Sequence, residues 1–431
     1  MDNAIEVLKA RGLFEDVTSP EIIKHVETPT AVYAGFDPTS NSLQVGNFVT
    51  IMGLAHFQRC GHKVIALAGG ATGMIGDPSG KADERKLLTP DEVNRNLEGV
   101  RENLSRFLDF EDKRAPALIV NNNDWMSKFT YIDFLRDVGK HFRMGTMLGK
   151  ESVRARMEGD SGMSYCEFSY QLIQAYDFLH LWESEGCRLQ IGGSDQWGNI
   201  TAGVELIRRL RGGEAYGLTF PIICDSSGQK FGKSAGNAVY LDQRRTSYYD
   251  FYQFFIRTED KDVIRFLKIF TFLPLAEIEE LEREMLKAPE KRLPQKKLAE
   301  VMTRTVHGEV GVATAQKASE VLFGGSMDGM KADDLIKVFA NVPSRELPLD
   351  SIRDVGFLEV AVTAGLCKSK GEARRLVMEG GFYINNIRMA EPTGKITGDM
   401  LVDGRVVVMR AGKKNYCLVK SVKQIESLKN G

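Results

Sequence analysis

The 431-residue sequence predicts an α/β protein whose first half is a doubly wound parallel sheet, followed by an all-helical region and a small α+β tail. Three observations carry that expectation. Short apolar runs alternate with segments of helical period from residue 31 to about 224, as in βα units whose strands run parallel. Strand signals then cease, and five successive segments between Ser247 and Leu322 keep helical period. Short strand-like runs return near residue 382, separated by Gly turns.

Taken in order, MDNAIEVLKARGLFEDV has the pattern of an amphipathic helix, and Asp2 and Glu6 fit neither a signal peptide nor an acid-poor transit peptide. Ala31–Phe36 (AVYAGF) has the length and composition of a buried strand. Asp37-Pro38 stops it, because proline has no N–H to give a ladder. A polar loop then leads through Gly46 into a helical segment, 48–57. Strand, polar loop and helix start in that order make an anion site, with free N–H groups and the positive dipole end over the loop. Gly46 leaves room for a flat ring or a phosphate against backbone. An ordinary βα turn reads the same way, since fold does not fix function.

Residues 62–68 form the next strand and run into GGATGMIGDPSGK (69–81), with Lys81 and Arg85 at its end and just beyond. Segments 93–108 and 125–138 are helical around a short strand at 116–120. An excursion from about 128 to 163 separates the two halves of the sheet. Helix 166–182, strand 188–191, the turn GGSDQWGN (192–199) and helix 200–211 follow. Residues 221–224 read as the last strand, before the loop SSGQKFGKS (226–234). Helices are expected at 247–257, 261–270, 275–286, 295–307 and 310–322. The stretch 323–351 is rich in Gly, Pro, Ser and Asp, a linker with room for one short helix. The tail opens with helices, including 369–379 with Arg374 and Arg375, and ends in strands Phe382–Ile384, 406–409 and 416–419. Domain limits follow at 1–225, 226–323 and 351–431, with 324–350 as linker.

A net charge of −1 excludes a wholly basic nucleic-acid binder but hides segregation. From Leu366 onward stand 13 Lys/Arg against 6 Asp/Glu, a net +7 that leaves −8 for the rest. Six scattered cysteines without a CxxC pair give neither a disulfide framework nor a zinc site, the usage of a reducing compartment. No apolar run reaches membrane-spanning length, so a soluble, cytoplasmic protein without membrane association is expected.

Three loops at strand ends converge on one phosphorylated ligand in this reading: DPTSNSLQVGN, the loop with Lys81 and Arg85, and KFGKS with Lys230 and Lys233. Mobile cations suit a pyrophosphate whose charge grows as it leaves. The spacing is not that of a P-loop, which needs GxxxxGK[ST]. On the mainly apolar helix CEFSYQLIQAYDFLHLW, Tyr170, Gln174 and Asp177 fall at i, i+4 and i+7, on one face. A buried acid there is costly unless paired. It belongs either to a structural network or to a polar pocket in which Asp177 accepts a proton from a substrate hydroxyl. Asp195 and Gln196 lie where such a pocket should open.

Together these segments resemble one family. DPTSNSLQVGN is similar to the first class I aminoacyl-tRNA synthetase signature (the HIGH type), and KFGKS, including Ser234, to the second (the KMSKS type). AVYAGF, GGATGMIGDPSGK, FSYQLIQAYDF and GGSDQWGNI resemble the bacterial and organellar tyrosyl-tRNA synthetases, over nearly the whole chain. LCKSKGEARRLV, GGFYINN and RAGKKNY resemble the alpha-L RNA-binding fold that ends those enzymes. The resemblance implies a Rossmann-like catalytic domain, a helical anticodon-recognition domain and an RNA-binding tail. It implies ATP as co-substrate with its accompanying Mg2+, no protein-bound metal, L-tyrosine and tRNA(Tyr) as substrates, and a homodimer formed through 128–163. Tyr33 and Asp177 would bond the phenolic hydroxyl; Asp77, Tyr170 and Gln174 would bind the α-amino group, with Gln196 near the carboxylate. Asp37, Thr39, Gly46, Asn47, Gly193 and Asp195 would face ATP. Lys81, Arg85, Lys230 and Lys233 would hold the departing pyrophosphate, and Arg374, Arg375, Lys413 and Lys414 the RNA.

The signature usually has His where Gln44 and Asn47 stand here, and Ala34 replaces a frequent cysteine. Gln and Asn still donate hydrogen bonds but never carry charge, so the departure bears on rate rather than substrate. Two rivals remain at this point. A tryptophan-specific relative is disfavoured by Tyr33 and Asp177, which suit a phenol. A synthetase-like RNA-binding or splicing factor is favoured by Gln44 alone.

Overall fold

The computed structural model describes residues 3–79, 87–158, 162–234, 237–339, 342–413 and 415–422, with only the backbone at 151, 152, 155, 233, 234 and 237. By packing, the chain divides into two compact units, Met1–Thr246 with Asp250–Gly308 and Ser247–Tyr249 with Glu309–Gly431.

In the first unit, β1 (Asp16–Val17), β2 (Ala31–Phe36), β3 (Lys63–Ala68), β4 (Leu118–Asn121), β5 (Cys187–Gly193) and β6 (Tyr216–Phe220) form one sheet in the order β1-β6-β5-β2-β3-β4. All neighbours pair in parallel except β1, which runs antiparallel to β6. Both faces are covered, which is why β2 and β3 read as continuous apolar runs rather than alternating ones. On one face Tyr33, Ile65 and Leu67 pack with Phe178, Leu179 and Leu181 of the helix Tyr165–Glu185. That helix starts where the Ser164 side chain accepts from the Glu167 amide at 3.2 Å, and ends at Gly186, φ 64°. The helix Phe48–Arg59 buries Phe48, Ile51, Met52, Leu54 and Phe57 completely. Strand order reverses between β2 and β5, so the crevice at their carboxyl ends is the place for a ligand.

Two expectations for this unit are corrected. The helix expected at 125–138 is two, Asn123–Met126 and Tyr131–Asp137, because the Thr130 side chain accepts from the Asp133 amide and starts a new one. The last strand is β6, not 221–224. Pro221 cannot donate to the ladder, whereas all five residues of β6 are buried.

Beyond β6 come a two-stranded hairpin, β7 (Lys233–Ser234) and β8 (Asn237–Ala238), and the helices Tyr248–Ile256, Asp260–Phe270 and Leu275–Lys287. A last long helical stretch, Leu293–Leu322, leaves helical geometry at Gly308 (φ 69°, ψ −173°), between the two segments expected there.

In the second unit β9 (Ser344–Pro348), β10 (Phe382–Ile384), β11 (Ile387–Arg388), β12 (Val406–Ala411) and β13 (Asn415–Val422) form a sheet in the order β11-β10-β12-β13-β9. Successive residues of β12 face opposite sides. Val407 and Met409 pack with Phe357, Val360, Ala373 and Val377 of the helices Phe357–Thr363 and Lys370–Met378. Val406 and Val408 pack with Leu335 and Val338 of the helix Ala332–Val338. The 323–351 stretch therefore holds more than a linker with one helix: β9 pairs in parallel with β13 and buries Leu347.

Candidate active site

Of the residues singled out in the sequence, Asp37, Gly193, Asp195 and Gln196 lie at or just past the carboxyl ends of β2 and β5. Tyr33, on β2, is 1% exposed, and its hydroxyl has no hydrogen-bond partner among the described residues. Asp177, also 1% exposed, approaches from the helix Tyr165–Glu185. Its two oxygens accept from Asn122 Nδ2 at 2.9 Å and Trp125 Nε1 at 2.8 Å. Burial pushes the Asp177 carboxyl up to about 7, against the pull of these two donors. Burial, and then Asp177, hold the Tyr33 phenol well above its ordinary value, so it stays a neutral donor.

Asn122 was not legible as a site residue. It sits just past β4, completely buried. Besides Asp177 it donates to Thr72 Oγ1 at 3.1 Å, and its Oδ1 accepts from the Ala71 amide at 2.7 Å. Thr72 Oγ1 in turn donates to Asp37 Oδ1 at 2.7 Å, and the Tyr170 hydroxyl donates to Asp37 Oδ2 at 2.9 Å. A hydrogen-bonded path thus runs from Asp177 to the first signature loop. Tyr170 is 5% exposed; burial, then Asp37 and Asp77, keep it protonated.

A second cluster forms around Asp77, 7% exposed. Gln196 Nε2 donates to Asp77 Oδ2 at 2.6 Å, and Gln174 Nε2 to Gln196 Oε1 at 3.5 Å. Asn199 Nδ2, another residue the sequence reading did not single out, lies 3.4 Å from Asp77 Oδ1 and 3.2 Å from Gln196 Oε1. Gly193 closes β5, and Asp195 sits half-buried in the turn Ser194–Gln196 that starts the next helix. Asp77, Gln174, Gln196 and Asn199 together offer carboxylate and amide partners to an ammonium group.

The first signature loop is set by its backbone. Thr39 is exposed, with its amide on the Asp37 carbonyl at 2.8 Å. Gly46 is exposed, while Gln44 and Asn47 are half-buried. Asn47 Oδ1 accepts from the Gln44 amide at 2.9 Å. Ala34, by contrast, is fully buried in β2. The second signature lies directly against the first: the Val45 amide donates to the Val239 carbonyl at 2.9 Å, and Val239 to Gly232 at 3.0 Å. Lys230 is exposed, and Lys233 and Ser234 form β7. Lys81 and Arg85 lie outside the described residues, as does Lys414. In the second unit Arg374, Arg375 and Lys413 are all exposed, with Arg375 3.9 Å from Glu379.

The chemistry on offer is a buried phenol and carboxyl, a carboxylate–amide cluster and two interlocked backbone loops. Comparison with known proteins agrees with that pairing. Residues 24–324 match the family of class I tRNA synthetases (W and Y), and 334–419 match the tyrosine–tRNA ligase SYY-like C-terminal domain. A tyrosine–tRNA ligase of Opitutus terrae is 48% identical, over 97% of this chain and 99% of its own. One of Geobacillus stearothermophilus is 48% identical over 96% and 98%. A C-terminally truncated mitochondrial tyrosyl-tRNA synthetase of Aspergillus nidulans superposes with a TM-score of 0.67 at 32% identity, covering 75% of this chain and 95% of that one. The chain belongs to the bacterial-type tyrosyl-tRNA synthetases of the class I aminoacyl-tRNA synthetase family.

Proposed function

We propose that the tyrosine–tRNA ligase reaction of this family runs here in two steps over the crevice between β2 and β5. Tyrosine enters phenol first, its hydroxyl between Tyr33 and Asp177. Its ammonium group is met by Asp77, Tyr170 and Gln174, and its carboxylate lies near Gln196. The tyrosine carboxylate attacks the α-phosphate of ATP; the new bond is to phosphorus, and pyrophosphate leaves with the electron pair of the broken P–O bond. Attack by an anion needs no general base, so the protein's work is alignment and charge stabilisation. ATP lies over the first loop, facing Asp37, Thr39, Gly46, Asn47, Gly193 and Asp195, and brings its own Mg2+. Gln44 and Asn47 donate at the loop, and Lys81, Arg85, Lys230, Lys233 and Ser234 meet the departing pyrophosphate. The tyrosyl group then passes to the 3′ end of tRNA(Tyr).

The observation that carries this reading is the pair formed by a buried Tyr33 hydroxyl, without a partner among the described residues, and the raised Asp177 carboxyl. A phenol fits it, and an indole, which has only a donor, does not supply the acceptor that Tyr33 lacks. The segment 226–323 serves anticodon recognition and 351–431 holds RNA through Arg374, Arg375, Lys413 and Lys414, with 324–350 between them; the basic tail supports this. A homodimer forms through 128–163. Supporting it, Tyr131, Ile132, Met144 and Met157 are each more than half exposed, and Tyr131 lines an apolar cavity of about 210 Å³ with Phe129, Phe134 and Tyr165. The setting is cytoplasmic; among the described residues no helix is long and apolar enough to cross a membrane.

Tyrosine-dependent exchange of labelled pyrophosphate into ATP tests the first step. Exchange with tyrosine and not with tryptophan is expected. No exchange, together with retained RNA binding, would instead favour a synthetase-like binding factor.

A further inference from the structure

The lysine-bearing loop is carried by a hairpin. The Asp225 amide donates to the Gln229 carbonyl at 2.9 Å and the Phe231 amide to the Ile223 carbonyl at 2.8 Å. Asp225 Oδ1 closes the tip by accepting from the amides of Ser227 and Gln229 at 2.9 and 3.0 Å. One arm, 224–226, is fastened to the start of the helix Asp260–Phe270; the other carries Lys230, which is exposed.

The fastening is specific. Asp262, 4% exposed, accepts the Ser226 amide on Oδ2 at 2.7 Å and Arg265 on Oδ1 at 3.0 Å. Arg265 also donates to the Cys224 carbonyl, and the Ser226 hydroxyl donates to Glu259 at 2.8 Å. Residues 259, 262 and 265 recur every three positions, so one stripe of the helix start grips one arm of the hairpin. Beyond Lys230 the same helix holds the chain again, as Phe231 stacks on Phe270 (4.5 Å, 14°) and meets Phe266 at 4.7 Å. Lys230 therefore stands between two anchors on one helix.

We propose that Asp262 is a positioning residue for Lys230: by holding the Ser226 amide it sets the hairpin from which the lysine reaches the phosphates. This rests on the reading of Lys230 as a pyrophosphate partner. A carboxylate is suited to the task because a charged acceptor makes a shorter, stronger bond to an amide than a neutral one. It also orients Arg265, which holds the Cys224 carbonyl of the same arm.

A double-mutant cycle in the full chain tests it, read by single-turnover tyrosyl-adenylate formation. Asp262→Ala is expected to slow that step between about ten- and a hundredfold, the cost of a reacting group displaced by an ångström, while leaving tyrosine affinity unchanged. Asp262→Asn keeps an acceptor for the Ser226 amide and should lose less; it carries the same cycle if the alanine variant does not fold. In a Lys230→Ala background, Asp262→Ala should cost nothing further. If it multiplies the Lys230→Ala loss by its full factor, Asp262 acts elsewhere and the proposal is overturned. A costly Lys230→Ala beside a silent Asp262→Ala overturns the proposal alone. A silent Lys230→Ala removes the reading of the lysine, and the proposal with it.

Discussion

Gly232 lies against Gly46. A Cβ built on Gly232 would come within 2.7 Å of the Gly46 amide nitrogen, and Gly232 holds φ +104°, where L side chains are strained. The contact is backbone to backbone, so nothing flexible gives way. Around it the strands zip together, with the Leu241 amide on the Leu43 carbonyl at 3.0 Å and Gln44 bridged to Tyr240. Two loops far apart in the sequence are thereby held together as one unit.

Gly232→Ala is expected to push the loops apart and slow adenylate formation by about a hundredfold, with tyrosine affinity preserved. Gly46→Ala is the contrast. A Cβ at 46 meets only the Phe231 carbonyl, at 3.6 Å, an ordinary contact. That variant should fold and melt like the parent yet bind ATP more weakly, because its methyl group occupies space proposed for the nucleotide. ATP titration and thermal unfolding of both variants decide the matter. Unchanged ATP affinity in Gly46→Ala would move the nucleotide off this glycine.

Tyr33→Phe removes a buried hydroxyl that has no partner among the described residues. The free protein should therefore lose no stability, since an unsatisfied buried donor is itself a cost of about 1–3 kcal/mol. Selection of tyrosine over phenylalanine should fall by about tenfold, one hydrogen bond's share. Rejection of phenylalanine by tyrosyl-tRNA synthetases is the type example of a site whose polar groups punish a missing hydroxyl, at about 10⁵, a magnitude taken from that example. The ratio of kcat/KM for the two amino acids in pyrophosphate exchange measures the change. An unaltered ratio would take Tyr33 out of the pocket.

Much of this site was readable because local signals agree. AVYAGF between polar flanks and Asp37-Pro38 gives β2 to the residue, and the i, i+7 spacing puts Tyr170 and Asp177 on one buried face. What the sequence left hidden is non-local. Asn122 and Trp125 reach Asp177 only because β4 and the short helix after it pack with that residue's helix. Nothing in NNNDWM says so. The last strand is expected at 221–224, past the buried run YGLTF that forms β6. A Cβ at 217 would collide with Ile200 at 2.2 Å, so glycine there is a packing requirement. β9 hid among Pro and Ser because an edge strand needs little apolar content. The hold of Asp262 on Ser226 is likewise a tertiary fact.

The raised Asp177 carboxyl gives tyrosine binding a pH dependence of definite sign. Its folded value is about 7 against an ordinary 3.8. In the free protein the folded chain keeps this proton longer than the unfolded chain does. The associated stability is full below the unfolded value and is lost as the pH rises from 3.8 through about 7. Binding runs the other way. Ionised Asp177 accepts the phenol proton in a charge-assisted bond, roughly twice as strong as a neutral one. Tyrosine affinity should rise between about pH 6 and pH 8, while phenylalanine affinity stays flat. Fluorescence titrations of both ligands across that range provide the check. Parallel profiles for the two would mean that the bond does not depend on ionised Asp177.

Gln44 stands where the signature usually has His, and the structure separates its backbone from its side chain. The Gln44 amide is held by Asn47 Oδ1 at 2.9 Å, its carbonyl accepts the Asn47 amide at 2.8 Å, and the residue pairs with Tyr240. Gln44→Ala leaves those backbone bonds in place and removes the side chain together with its capping contact on the Asn47 amide, so rate and ATP affinity must be read side by side. If the Gln44 side-chain amide donates only once the α-phosphate becomes bipyramidal, the variant should lower the adenylation rate and leave ATP affinity nearly unchanged. A well-placed donor of this kind is worth about 3 kcal/mol at most, or about a hundredfold. Gln44→His should keep or raise the rate, since a ring nitrogen can make the same bond. Asn47→Ala should behave differently: it strips the Gln44 amide of its acceptor, reshapes the loop and weakens ATP binding as well as slowing the step. Single-turnover rates set against ATP affinity for the three variants resolve these outcomes. An unchanged rate in Gln44→Ala would mean that the loop acts through its backbone alone.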